Sequence, residues 1–458
     1  MAPMRVNGTQ MTLAARRPCA LVFSYHFAPS SEVAARRLAA FVAVLRTREL
    51  DVLVVSKFGA AGLEPRTQID PGVFAVPVPD PPRFLLDRLV RIKRLLFGRR
   101  ARGAAPEHET APAPDDQASR LADRVLASFF SVLHAPDAQK KWSFRAARAA
   151  LRVTRGRDVR IVIASGPPFS SAISAQWVAR RRNAPLVVDF RDPMVEGWDD
   201  EFERPRWLAR LLAHVELSVI ADAAAVTCAS PGIASALRSA YPQQAHKVEL
   251  IMNGFDGDLQ PTAISTGHRL NISFAGSLYL NRDPFAFLEA LEELLAEPGI
   301  DANRIVMCFV GDCTRFRKRR LADWLRGRRC EVIVQLIPAV SAAELAPLLE
   351  RATVHLNLAQ HQPRQVPAKT FEHLASGREV LALCEADSDT GRLLNSIPGA
   401  IRVDPADRGA LLAALRDLYR RHVVEGVSRA LPAERVLAYS RGVQNQRFAA
   451  LLGKIMRS

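Results

Sequence analysis

Lys369, Thr370 and Glu372 fall within one short stretch, 366–377, which reads VPAKTFEHLASG. Their types suit a grip on a nucleoside diphosphate. Pro367 marks a helix start, because the first helical turn has no use for the N–H that proline lacks. A helix start presents unpaired N–H groups and the positive end of the helix dipole, both of which attract phosphate. Lys369 adds a mobile cation, and Glu372 brings a carboxylate to the same edge. The same residues also fit an ordinary capped helix, with Thr370 or a neighbour capping and Lys369 and Glu372 in solvent.

The elements around this stretch raise its significance. Strand-like runs precede it at 354–358 (VHLNL) and follow it at 379–384 (EVLALC), so the turn is expected at the carboxyl edge of a parallel sheet, where open α/β folds bind ligands. The same grammar runs through the whole chain. Apolar, β-branched runs at 19–24, 51–56, 159–164, 185–190, 224–228 and 247–251 alternate with helical patterns such as 32–47, and a turn at Asn253–Gly254 closes this half. The pattern restarts at 270–275, 305–310 and 332–336, with a helix over 285–296 and a last one over 444–456. Two doubly wound parallel sheets of the Rossmann-like kind, with a cleft between them, are therefore expected. The expected division is a flexible 1–18, a first domain over 19–255, a second over 256–430 and a C-terminal segment over 431–458 that packs back on the first domain.

Length agrees with this division, since 458 residues exceed one ordinary core and suggest two domains of about 200 residues. A formal charge of +16 and a pI near 10.3 point to an anionic partner: nucleic acid, an anionic membrane or a phosphate-bearing substrate. The six cysteines are scattered, without C-x-x-C pairs, and read as buried free thiols of a reducing cytoplasm. No apolar run reaches the roughly 18 residues that span a bilayer, so the protein is expected in the cytoplasm or on the inner membrane face. There is no metal constellation, Ser-His-Asp order or G-x-x-x-x-G-K-[ST] phosphate loop. His26 and His355 lie in or beside strand runs and read as packed or turn residues.

One segment departs from the alternation. Residues 83–102, RFLLDRLVRIKRLLFGRRAR, carry eight arginines or lysines against one aspartate. Leu85, Leu86, Leu89, Ile92, Leu96 and Phe97 recur at helical spacing, with the cations largely off that stripe. Such a helix suits the plane of an anionic membrane, and equally a surface position with its stripe on the core. An Ala/Pro/acid-rich linker at 102–117 and a second apolar segment at 121–133 complete an insertion over 83–135.

With these residues in view, the chain resembles a GT-B glycosyltransferase of family 4, of the bacterial exopolysaccharide and capsule type. The resemblance rests on SYHFAPSSEVAARRL near the N-terminus, PDAQKKW at 136–142, SGPPFSS at 165–171 and VVDFRDPMVEGW at 187–198 in the first half. In the second half it rests on IMNGFD at 251–256, FAGSLYLNRDP at 274–284 and the VPAKTFEHLASG turn. The resemblance implies transfer of a sugar from a nucleotide-sugar with retained anomeric configuration and no required cofactor or metal. It implies donor binding by Glu372 at the ribose, by Arg282 and Lys369 at the diphosphate, and by Thr370, Gly276 and Ser277 around them. It places an acceptor-side loop at Ser30, Ser31, Ser165 and Gly166. Asp192 emerges beyond the buried run that ends at Phe190 and is the acid expected to orient or deprotonate the acceptor hydroxyl, with Arg191 beside it; a structural Asp192–Arg191 pair or a turn cap before Pro193 fits the same residues. The expected partners are a nucleotide-sugar, a lipid-linked or oligosaccharide acceptor and the anionic inner-membrane surface, without nucleic acid.

Two departures from the family pattern stand out. Ser30 and Ser31 occupy a loop where relatives often carry glycines. Many relatives also place a glutamate eight positions before the one matching Glu372, where this chain has Arg364. The other readings of the sequence are a GT-B sugar-nucleotide epimerase or hydrolase, and a basic nucleic-acid-binding protein, although the cations lack the aromatic interleaving of an RNA motif.

Overall fold

Runs of buried branched residues make the sheets, and the computed structural model describes residues 17–27, 33–57, 67–81, 135–195, 205–259, 266–279 and 281–457. The basic segment 83–102, the linker after it, the apolar run 121–133 and the Ser30–Ser31 pair lie outside the described residues.

The first sheet contains β1 (Cys19–Phe23), β2 (Asp51–Ser56), β3 (Gln68–Asp70), β4 (Val73–Pro77), β5 (Val159–Gly166), β6 (Leu186–Phe190), β7 (Ala225–Cys228) and β8 (Val248–Leu250), in the order β3-β4-β2-β1-β5-β6-β7-β8. β1 pairs in parallel with β2 and β5, β2 with β4, and β5 with β6, while β3 runs antiparallel to β4. Every residue of β1 and β6 is buried, as expected of strands covered on both faces. β3 and β4 were not expected from the sequence; β3 is three residues long and its ends are exposed, so it carries no apolar run to read.

The second sheet follows the same logic with β9 (Leu270–Ala275), β10 (Ile305–Val310), β13 (Val334–Ile337), β14 (Val354–Leu358), β15 (Glu379–Leu383) and β16 (Ile401–Val403), in the order β13-β10-β9-β14-β15-β16. Its neighbouring strands pair in parallel. A small hairpin, β11 (Arg315–Phe316) with β12 (Arg319–Arg320), follows β10. Alternate residues of one strand enter different cores: Leu381 and Leu383 join the cluster of the Phe285–Leu294 and Arg408–Tyr419 helices, whereas Val380, Ala382 and Cys384 join the cluster of Phe371, Leu374 and Leu394. Both faces of this sheet are therefore covered. The expected strand at 332–336 begins later, at Val334, because 329–332 coils into a 3-10 turn.

The chain divides into two compact units, residues 1–226 with 454–458, and residues 227–453. In the second unit the buried carboxylate of Glu379 accepts from both Nη atoms of Arg421, from His422 Nε2 at 3.0 Å and from the Arg429 N–H at 2.7 Å. Burial would push this carboxyl up, but the His422 and Arg421 hydrogen bonds hold it down at about 2. That network fastens the 420–425 π-helical turn to the start of β15. Among the described residues no helix is long and apolar enough to cross a membrane.

Candidate active site

β9, β10 and β14 are parallel neighbours, so the loops that follow them rise from the same edge of the second sheet. Gly276 and Gly311 follow β9 and β10, and their backbones approach so closely that a Cβ on Gly311 would sit 2.1 Å from the Gly276 carbonyl oxygen. Gly311 also has φ +122°, a conformation that side-chain-bearing residues rarely adopt. The loop after β9 is tied to the loop after β14 by Gln360 Nε2, which donates to the Asp283 carbonyl at 2.7 Å.

The Ala368–Ala375 helix opens from the loop after β14, with Pro367 immediately before it. Lys369 Nζ and Glu372 Oε2 lie 2.9 Å apart, half-buried, so the cation and the carboxylate expected at the donor are brought together at this helix start. Thr370 is not a surface cap. Its side chain is fully buried, and its hydroxyl accepts from Asn357 Nδ2 of β14 at 2.8 Å. Arg282 stacks over the Tyr279 ring at 4.5 Å and points Nη1 toward the Ser277 carbonyl at 3.5 Å, within its own loop.

Beneath the same helix His373 stacks on His355 of β14, the ring centroids 4.7 Å apart and the planes 15° from parallel. Ser273 Oγ lies 2.8 Å from His355 Nδ1, while neither ring nitrogen of His373 has a hydrogen-bond partner. Burial and then the Lys369 charge push the His373 imidazole down to about 3. Burial, followed by His373, Arg378 and Lys369, pushes His355 down as well. Arg364 contributes its backbone to a seam: its carbonyl accepts from Ser230 Oγ at 2.7 Å, and the Asp389 carboxylate beside it accepts from the Gly232 N–H at 2.6 Å. A Cβ on Gly232 would lie 2.7 Å from that carboxylate and 2.9 Å from Arg364 Cα.

In the first unit, Arg191 and Asp192 follow β6 as expected, and both are half-buried. Arg191 is fastened to the SGPP turn: its N–H donates to the Gly166 carbonyl at 3.0 Å and its guanidinium to the Pro167 carbonyl. Ser165 ends up inside, where its hydroxyl donates to Asp189 Oδ2 at 2.8 Å. Gly166 is needed because a Cβ there would lie 2.5 Å from the Phe169 ring.

Two polar constructions escaped sequence reasoning. Asp189, in the middle of a buried strand, accepts a forked pair of hydrogen bonds from Arg37, at 3.0 Å from Nε and 2.7 Å from Nη2. The second construction is Asp137, which accepts from the Ser170 N–H at 2.7 Å and its hydroxyl at 2.6 Å, holding the start of the Ser170–Arg182 helix. Burial pushes the Asp137 carboxyl up against these hydrogen bonds. The only signals were a charged residue inside an apolar run, LVVDF, and an aspartate after a proline in PDAQKKW. Among the described residues no group of three or more His, Cys, Asp or Glu side chains is arranged to hold a metal ion.

Comparison with known proteins adds a domain match and a shared fold. Residues 90–254 match the glycosyl transferase 4-like domain. No curated protein matches the chain significantly by sequence. Among solved structures, trehalose 6-phosphate synthase from Burkholderia multivorans is similar with TM-score 0.58 at 14% identity, over 96% of this chain and 99% of its own. Sucrose-phosphate synthase from Thermosynechococcus elongatus gives TM-score 0.57 at 14% identity, over 96% and 98% of the two chains. Anabaena HepE, solved in complex with UDP, gives 0.57 at 13% identity, over 95% and 100%. At these identities the structural likeness is one of fold, shared over nearly the whole chain, and residues 90–254 are in addition similar to the glycosyl transferase 4-like domain.

Proposed function

We propose that this enzyme transfers a sugar from a nucleotide-sugar, with retention of anomeric configuration, to a lipid-diphosphate-linked oligosaccharide at the inner face of the cytoplasmic membrane, in the synthesis of a surface polysaccharide. The observation that carries the donor half of this reading is the Lys369–Glu372 pair at the start of the Ala368–Ala375 helix, on the sheet edge where Gly276 and Gly311 bring the loops after β9 and β10 into close approach. Glu372 exchanges its lysine for the ribose hydroxyls. Lys369, freed from that pair, and Arg282, swung off Tyr279, meet the diphosphate, where negative charge grows as the glycosidic bond breaks. Gly276 and Ser277 line the phosphate side with backbone. On the acceptor side Asp192 takes the hydroxyl proton, and Arg191 holds the turn that presents it. HepE, a structural neighbour, binds UDP, which fits a nucleotide-sugar donor here.

The test is Glu372→Ala with a panel of nucleotide-sugars in calorimetry. A charge-assisted hydrogen bond contributes about 1.5 to 3 kcal/mol, so the variant is expected to bind the preferred donor at least ten-fold more weakly. Unchanged donor affinity in a folded Glu372→Ala protein overturns the assignment.

A further inference from the structure

The helices Lys140–Val153 and Ser170–Arg182 of the first unit pack side by side, and on their outer face lies a groove of about 580 Å³. Arg148, Arg152, Arg155, Arg181 and Arg182 line it, with Trp177 and Leu151 between them and no carboxylate. Arg148 and Arg152, four residues apart on the first helix, share one face, Arg155 follows in the turn beyond its end, and neither helix contains an acidic residue. Arg182 is committed to the fold: its Nε donates to Thr154 Oγ1 at 2.9 Å and its Nη2 to the Leu151 carbonyl, closing the floor of the groove. Arg148, Arg152, Arg155 and Arg181 have no ion-pair partner among the described residues. Four converging guanidinium groups without counter-charge repel one another, and an anion relieves that repulsion.

We infer that this groove docks the phosphate headgroups of an anionic phospholipid bilayer. Guanidinium forks match phosphate oxygens two at a time. The apolar contributions fit the headgroup level: Phe144 stands 57% exposed on the same helix, and Trp177 lies at the groove wall. Arg181 covers the Trp177 ring at 4.3 Å and Arg148 lies over Phe144 at 5.9 Å. A guanidinium already placed on each ring favours phosphate capture over the base stacking that a single-stranded nucleic acid would need. The groove deepens the membrane part of the proposed function, and its own test separates the two.

The full chain is floated with vesicles of phosphatidylglycerol or of phosphatidylcholine, at low and high salt. Two variants accompany it: Arg148→Glu, Arg152→Glu, Arg155→Glu and Arg181→Glu together, and Arg88→Glu, Arg91→Glu, Lys93→Glu and Arg94→Glu together. The parent is expected to float with phosphatidylglycerol at low salt only, and the groove variant to lose about ten-fold or more of that binding while keeping the parent's melting temperature. A second groove variant with lysine at the same four positions keeps the charge, loses the forks, and is expected to bind between the two. If the groove variant, folded, floats as well as the parent while the 88–94 variant does not, the groove inference is overturned and the membrane reading stands. If the parent floats with neither lipid, both are overturned.

Discussion

A single side chain tests how the Ala368–Ala375 helix is seated. His373 is buried with both ring nitrogens unpartnered, and its pKa lies at about 3 against an ordinary 6.5, while its stacking partner His355 is shifted the same way. Both shifts are downward, so the folded protein resists protons that the unfolded chain takes up. The stability these rings allow is intact above pH 6.5 and is lost as pH falls from there toward about 3. His373 is expected to cost about 1.4 kcal/mol per pH unit in that window, and His355 adds to the loss in the same direction. Urea titrations above and below pH 6.5 measure the slope, and His373→Phe is expected to remove its share of it. At neutral pH the same variant should gain about 1 kcal/mol, because phenylalanine leaves no orphan nitrogen. A variant with the parent's slope would show that these rings are not the titrating groups.

Between elements, the Arg37–Asp189 pair couples the Val33–Arg46 helix to β6, and Ser165 adds β5 to the same carboxylate. Both charges are almost wholly out of solvent. Removing one partner strands the other, so Arg37→Ala is expected to destabilise the protein by about 3 to 5 kcal/mol. Arg37→Met with Asp189→Leu should recover most of that loss, since a packed apolar pair replaces the ions. Denaturation midpoints of the three proteins decide the matter. A double variant no better than Arg37→Ala would mean that the pair does more than satisfy itself. The sequence could not announce this coupling, because its partners are 152 residues apart, nor that of Asp137 with Ser170 at a separation of 33. That Lys369 and Glu372 share one helix start was legible because it is local, three residues within one helical turn, although their ion pair was not expected.

For the molecule as a whole, the alternation of apolar runs and helices revealed two parallel sheets because each central strand is buried on both faces and must be apolar throughout. Strands without such a run, β3 and β16, went unread. The interior setting of Thr370 was not legible for the opposite reason: polar residues that satisfy one another in the interior, as Thr370 and Asn357 do, look in sequence like residues meant for solvent or ligand. If the donor reading holds, the matching nucleotide-sugar should stabilise the whole chain, by about 2.7 kcal/mol at a hundred times its dissociation constant. A thermal-shift panel is expected to single out one base and sugar, and Glu372→Ala should abolish the shift. A panel in which nothing raises the melting temperature would count against a nucleotide-sugar donor.

The polar underside of the Ala368–Ala375 helix fixes its azimuth. Thr370 meets Asn357 and, three residues on, His373 meets His355, so two contacts on one strand pin the helix against rolling about its own axis. A slip of one residue would turn it by about 100° and break both at once. Lys369 and Glu372 therefore keep a constant heading toward the sheet edge. If the donor reading holds, a change of sugar preference in related sequences acts through the loops after β9 and β14, which Gln360 ties together, and not through rotation of this helix.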